Sequence, residues 1–185
     1  MRCPCMTARR GLRPLLLGVC LALAGSGWLR ADAAKEYEVK AAFLYNFTKF
    51  VEWPASRFAD ANSPIVVAVL GRNPFGEALE KIVQGRKVNG HAIVVTTVES
   101  TADLAQAHVV FVAAGEEPRI DPEQTAAGLL TVGETEAFAA RGGMIVFRMH
   151  QDKVRFEINV DAAERHRLKI SAQLQKLATA VRRKS

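Results

Sequence analysis

Nucleophilic, metal-bound and acid–base chemistry need cysteine, histidine, serine or carboxylates at defined spacings, and this chain supplies them sparsely. Its three cysteines, Cys3, Cys5 and Cys20, all fall within the first twenty residues. The four histidines, His91, His108, His150 and His166, are scattered over turns and element ends, and no two stand at the i, i+4 spacing that turns a pair of imidazoles toward one metal. His150, in a polar turn, and His166, in the last helical region, are expected to be solvated. No Gly-x-Ser-x-Gly elbow is present. The residue types therefore predict no catalytic constellation, no metal site and no cofactor site.

Two phosphate chemistries can be tested on motifs. Gly71-Arg72-Asn73-Pro74-Phe75-Gly76 lies between a predicted strand and a predicted helix, where a phosphate loop belongs, but no lysine and hydroxyl residue follow Gly76, and Glu77 would repel phosphate. The segment reads as a tight turn, with Phe75 plugging the core and Pro74 opening the next helix. A phosphoacceptor site at strand ends needs an aspartate there. The first strand instead ends in Leu70-Gly71-Arg72 and the third in Ala113-Ala114-Gly115.

Apolar spacing gives the elements that would position a site. From Lys35, Val39, Phe43, Phe47, Phe50 and Val51 recur at three- and four-residue intervals, a helix expected to end at Pro54, with Trp53 just ahead of the proline. Unbroken β-branched and leucine runs follow at Ile65–Leu70, Ile93–Val98, His108–Ala113 and Leu129–Val132. Helix-like segments at Phe75–Val83 and Thr101–Ala107 separate them. Such strands joined by crossovers predict a parallel sheet covered on both faces. After Gly142-Gly143, Met144–Met149 and the alternating Val154, Phe156, Ile158 and Val160 form a hairpin around His150–Lys153. Asp161 and Glu164 have capping-box spacing. Ile170, Leu174, Leu177, Ala178 and Val181 predict one face of a C-terminal helix beginning at Asp161 or near Ser171, with Arg182-Arg183-Lys184 as its solvated end. The expected fold is α/β: a three-layer domain with a mostly parallel sheet of about six strands, a C-terminal antiparallel hairpin and helices on both faces. Its longest loop, Gly115–Gln124, leaves a strand end, the edge where open α/β sheets take ligands.

The first 33 residues read as a secretory signal peptide. Arg2, Arg9, Arg10 and Arg13 precede the apolar run Pro14–Ala24, and Ala31-Asp32-Ala33 offers a small-x-small cleavage site. The run is well short of the roughly 20 residues that span a bilayer. Arg9-Arg10 leaves a twin-arginine route open beside the general one, and Val19 before Cys20 argues against a lipid anchor. Cleavage leaves residues 34–185 as one domain without cysteine, and so without a thiol nucleophile, thiolate metal site or thiol switch. The leader holds five of the 25 basic and one of the 19 acidic residues, so the remainder carries 20 against 18, a formal +2. That balance gives no reason to expect nucleic acid as a partner.

Three segments together resemble the YfiR family of periplasmic proteins: KAAFLYNFTKFVEWP, LGRNPFGEALE and GGMIVFRMHQDKVRFEINVDAAERHRLKISAQLQKLA. The resemblance runs from Lys40 to Ala178. It implies a non-catalytic periplasmic regulator that binds the sensing domain of an inner-membrane diguanylate cyclase, represses it, lowers cyclic di-GMP and restrains biofilm formation. The founding member carries disulfides in its mature domain, whereas this chain has no cysteine there, which puts thiol-based switching in doubt. A related sensor as partner, a homodimer, and a small-ligand module serving another sensor or transport system stay open; direct membrane insertion of the mature chain is not expected. Phe43, Phe47, Phe156 and Ile158 are expected to be structural. Trp53 is assigned to core packing or to a surface pocket beside Glu52 and Pro54, and Arg155 and Glu157 to an exposed strand face. Trp53, Arg155 and Glu157 are thus the candidate partner or ligand surface.

Overall fold

The computed structural model describes the backbone of residues 25–183 and side chains from Asp32 onward; the basic and apolar parts of the expected leader, residues 1–24, and Lys184 of the expected basic end lie outside the described residues. One compact unit runs from Glu36 to the C-terminus. Helix α1 (Gly25–Phe50) leads into it and stops four residues before Pro54. It stops there because Val51-Glu52 becomes a short strand, β1, paired antiparallel with β9 (Lys169–Ile170).

The main sheet contains β2 (Ile65–Leu70), β3 (Lys87–Val88), β4 (His91–Val98), β5 (Val109–Val112), β6 (Leu130–Gly133), β7 (Ile145–His150), β8 (Lys153–Asn159) and β10 (Ala180–Arg182). Their order is β10-β8-β7-β6-β5-β2-β4-β3. Strands β4, β2, β5, β6 and β7 are mutually parallel, and β8 returns antiparallel beside β7. The α/β sheet with its C-terminal hairpin is as the apolar runs predict. The short edge strands β3 and β10 bring it to eight.

Alternation along the strands sends two sets of side chains to two faces. Val67, Val69, Val109, Phe111, Leu130, Val132 and Phe147 face α1, α2 (Ala78–Val83), α4 (Val160–Arg165) and α5 (Ala172–Leu177). Ala68, Leu70, Val110, Val112 and Val146 face the 3₁₀ turn Thr101–Gln106, Ile120, Leu129 and α3 (Glu136–Ala140). Phe43 and Phe47 of α1 pack on Phe147 and Phe156 with ring centroids 5.2–6.1 Å apart, tying the first helix to the hairpin.

Several local expectations are corrected. The inward face of α1 is Lys40, Ala41, Leu44, Phe47 and Thr48, while Val39 is 44% exposed. Pro74 precedes α2 by four residues, although Phe75 does plug the core. The cap of α4 is Asn159, whose side chain accepts the Ala162 N–H at 3.1 Å; Asp161 lies inside the helix. The single C-terminal helix is replaced by α4, β9, α5 and β10. Arg167 at φ 61° breaks the run after α4, and β10 lies parallel to β8, so Arg182 ends a strand and Leu177 and Val181 are exposed. His166 is buried, its Nδ1 bonded to the Ala162 carbonyl at 2.9 Å, because the imidazole folds back onto its own helix.

Candidate functional site

The chain leaves β2 for β4 on one side, then crosses to β5 on the other, so the connections diverge between β2 and β5. In parallel sheets such a divergence opens a crevice at the carboxyl ends of the strands. Here the chain's own carboxylates fill it. Gly71, at φ 72°, turns away from β2, and Glu116, from the segment after β5, lies directly over it; a β-carbon at residue 71 would overlap the Glu116 carboxylate. Glu116 is held by Arg119 Nε at 2.9 Å and by the Arg72 N–H at 3.4 Å.

One strand further along, Glu134 leaves β6 and enters a second ion-paired cluster. Lys40, brought inward by α1, reaches Glu134 at 2.5 Å and also pairs with Glu36 one turn earlier on its own helix. Glu134 accepts in addition the Ala114 N–H at 2.7 Å and the Tyr37 hydroxyl at 3.1 Å. Burial, then the Glu134 charge, pushes the Tyr37 phenol well above its ordinary range, so it stays protonated and donates to Glu134. Lys40 is shared by two carboxylates and Glu134 is engaged by three donors, so both are taken up within the cluster. The arrangement can hold charge and orient neighbours. A cavity of about 220 Å³ lies beside it, lined by Glu36, Tyr37, Lys40, Glu134, Arg148 and Met149 among others.

Arg148 carries this cluster onto the hairpin. It pairs with Glu136 of α3 at 2.6 Å and with Glu157 of β8 at 3.3 Å, and Glu157 also meets Arg182 at 3.4 Å. Arg155 stands directly across from Arg148 in the β7–β8 register. Arg155 is exposed, whereas Glu157 is half-buried among arginines. These two expected surface residues share a face.

Trp53 sits at the opposite edge, where the parallel strands begin. It is half-buried, and its indole Nε1–H donates to the His108 carbonyl at 3.1 Å. The imidazole of His108 accepts the Val66 N–H on Nδ1 at 3.2 Å and packs against Phe58, which also stacks on His91 at 4.2 Å. The Arg57 guanidinium donates to the Ala107 carbonyl. Desolvation first, then the Arg57 charge, holds His108 down at about 4. The expected trio therefore divides: Arg155 and Glu157 lie together, Trp53 apart. Sequence reasoning missed Glu134 and Lys40. The signal was a lysine within an apolar helical stripe, which needs a buried counter-charge.

Among the described residues no group of three or more His, Cys, Asp or Glu could hold a metal ion, and no helix is long and apolar enough to cross a membrane. No curated protein matches the sequence significantly. Eight solved chains do. One is a conserved domain protein from Vibrio cholerae O1 biovar El Tor, 13% identical, with a TM-score of 0.40 over 63% of this chain and 54% of that one. The chain thus spans about half the length of that solved relative. A family model described as YfiR/HmsC-like matches residues 37–179. The matched span takes in the aromatic half of α1, both strand-end carboxylate clusters except Glu36, and the whole hairpin, and the chain belongs to the YfiR/HmsC-like family.

Proposed function

We propose that this chain is an exported, non-catalytic repressor that docks on the periplasmic domain of a membrane-anchored diguanylate cyclase, holds it inactive and so lowers cyclic di-GMP. The observation that carries the reading is membership of a family of periplasmic regulators of cyclic di-GMP signalling, across nearly the whole domain. The geometry is consistent with it. Where an α/β enzyme would present reactive groups, Lys40, Glu134, Glu116 and Arg119 neutralise one another. The hairpin face carrying Arg155 and Glu157 is the assigned partner surface, and Trp53 mainly secures the opposite edge.

The test is direct. Deleting the gene should raise cellular cyclic di-GMP, and purified residues 34–185 added to membranes carrying the cyclase should lower its turnover. Unchanged cyclic di-GMP in the deletion strain, with a cyclase expressed, would refute the reading.

A second reading rests on a different observation. A pocket of about 490 Å³ lies between the turn Thr101–Gln106 and the loop carrying Arg119, Ile120, Asp121 and Gln124, with Leu104 and Leu129 in its wall. This is room for a small ligand, and it would make the chain a ligand-responsive module for another sensor. Native mass spectrometry of protein taken from the periplasm checks it: retained mass supports the module, and none, together with no thermal shift across a metabolite panel, removes it.

A further inference from the structure

The tip of the β7–β8 hairpin is assembled against its own electrostatics. The register sets Arg148 opposite Arg155 and His150 opposite Lys153, two alternate pairs with Met149 and Val154 between them, so Arg148, Arg155 and Lys153 lie on one face. Like charges directly opposite destabilise an antiparallel pair. Arg148 is neutralised by Glu136 and Glu157. Arg155 and Lys153 are exposed and have no ion pair among the described residues. The turn between the strands adds a second cost. Gln151 and Asp152 adopt φ 48° and 56°, values that a two-residue hairpin turn ordinarily assigns to Asn-Gly. Apolar cover from α3 on this face reaches Val146, which packs with Phe138 and Ala139, and Glu136 reaches Arg148, while Arg155 beyond them faces solvent.

We propose that this tip is the docking point for an acidic segment of the protein partner, with Arg155 and Lys153 as its cationic contacts. The proposal rests on the reading that the chain acts by binding a protein. Charge selects the occupant. A second copy docked tip to tip would bring the same cations and be repelled. An anionic membrane surface is held by clusters of roughly four to eight basic residues, more than the two unpaired cations here. A carboxylate-bearing segment would supply the counter-charge that Arg155 and Lys153 lack.

The test places a photocrosslinking residue at position 151 of the full exported chain in its own host, alone and combined with Arg155→Glu and Lys153→Glu. The expected result is an adduct mapping to an acidic stretch of a periplasmic domain, reduced about tenfold by the double reversal and by raised salt. The purified Arg155→Glu, Lys153→Glu variant should keep its melting temperature within about 2 °C of the parent, because both side chains are exposed and make no ion pair among the described residues. That melting temperature, measured beside the capture, separates lost docking from misfolding. An adduct on a cyclase supports both this proposal and the repressor reading. An adduct on an acidic segment of another identified protein supports the tip and overturns the cyclase reading. Adducts to lipid or to a second copy, or none at all in a strain whose cyclic di-GMP still responds to deletion of the gene, overturn the tip and leave the repressor reading standing.

Discussion

Acid should loosen this domain through His108 before its carboxylates titrate. The folded-state value of His108 is about 4, against 6.5 for a free imidazole. Because the folded value is the lower one, the neutral form is favoured by folding. That contribution is complete above pH 6.5 and is lost as pH falls from 6.5 toward 4. Each unit of displacement corresponds to about 1.4 kcal/mol, so acidifying from pH 6.5 to 5 should remove close to 2 kcal/mol, an upper bound because Arg57 and His91, the charged or titratable neighbours, are partly solvated. Asp60 and Glu117, both held below the usual carboxylate range, add their own losses only at lower pH. His108→Asn supplies the control, since its amide oxygen can accept the Val66 N–H and does not titrate. The variant should be less stable at pH 7.5 by about 1–3 kcal/mol for the lost ring contacts, yet nearly flat between pH 6.5 and 5. Urea unfolding at several pH values is the assay, followed by the emission of Trp53, the only tryptophan after residue 33. Parallel pH profiles for the two proteins would refute the argument.

Three further outcomes follow from the geometry. Lys40→Met should cost about 3–5 kcal/mol in chemical denaturation by stranding Glu134 beside Glu36, and Lys40→Met combined with Glu134→Leu should recover much of it; an equally unstable double variant would mean the pair acts through packing alone. Gly71→Ala should destabilise by about 1–2 kcal/mol, because residue 71 stands at φ 72° under the Glu116 carboxylate, and Glu116→Ala should relieve only the steric share. Trp53→Phe should lose about 1–2 kcal/mol through the bond to the His108 carbonyl, and Trp53→Ala about 3, with no change in melting temperature moving Trp53 wholly to the binding surface.

How much of this was readable beforehand depended on range. Unbroken β-branched runs such as Ile65–Leu70 declare buried parallel strands, and the alternation Val154, Phe156, Ile158 declares a one-faced strand; both are local signals. The face of α1 was misjudged by one residue because Val39 is apolar and Lys40 is not. What turns Lys40 inward is Glu134, 94 residues away, which no window over the helix contains. The C-terminal region failed for a related reason. Ile170, Leu174 and Leu177 keep helical spacing, but Lys169-Ile170 pairs with Val51-Glu52, and that distant strand wins over local periodicity. At the hairpin, alternation placed Arg155 and Glu157 on the outer face, but only the register shows Arg155 opposed to Arg148 and Glu157 enclosed by Arg148 and Arg182.

The embrace of Phe43 and Phe47 by Phe147 and Phe156, with Val51 clasped to Ile170, bears on how the domain comes into being. A polypeptide emerging amino end first presents its aromatic helix long before the residues that shelter it have arrived. Closing so long a loop is slow, and apolar surface left waiting is prone to association. Maturation of this domain is therefore timed by its last quarter. A truncation that removes β7 onward should leave Phe43 and Phe47 without Phe147 and Phe156, a sticky, half-built sheet in place of a smaller soluble one.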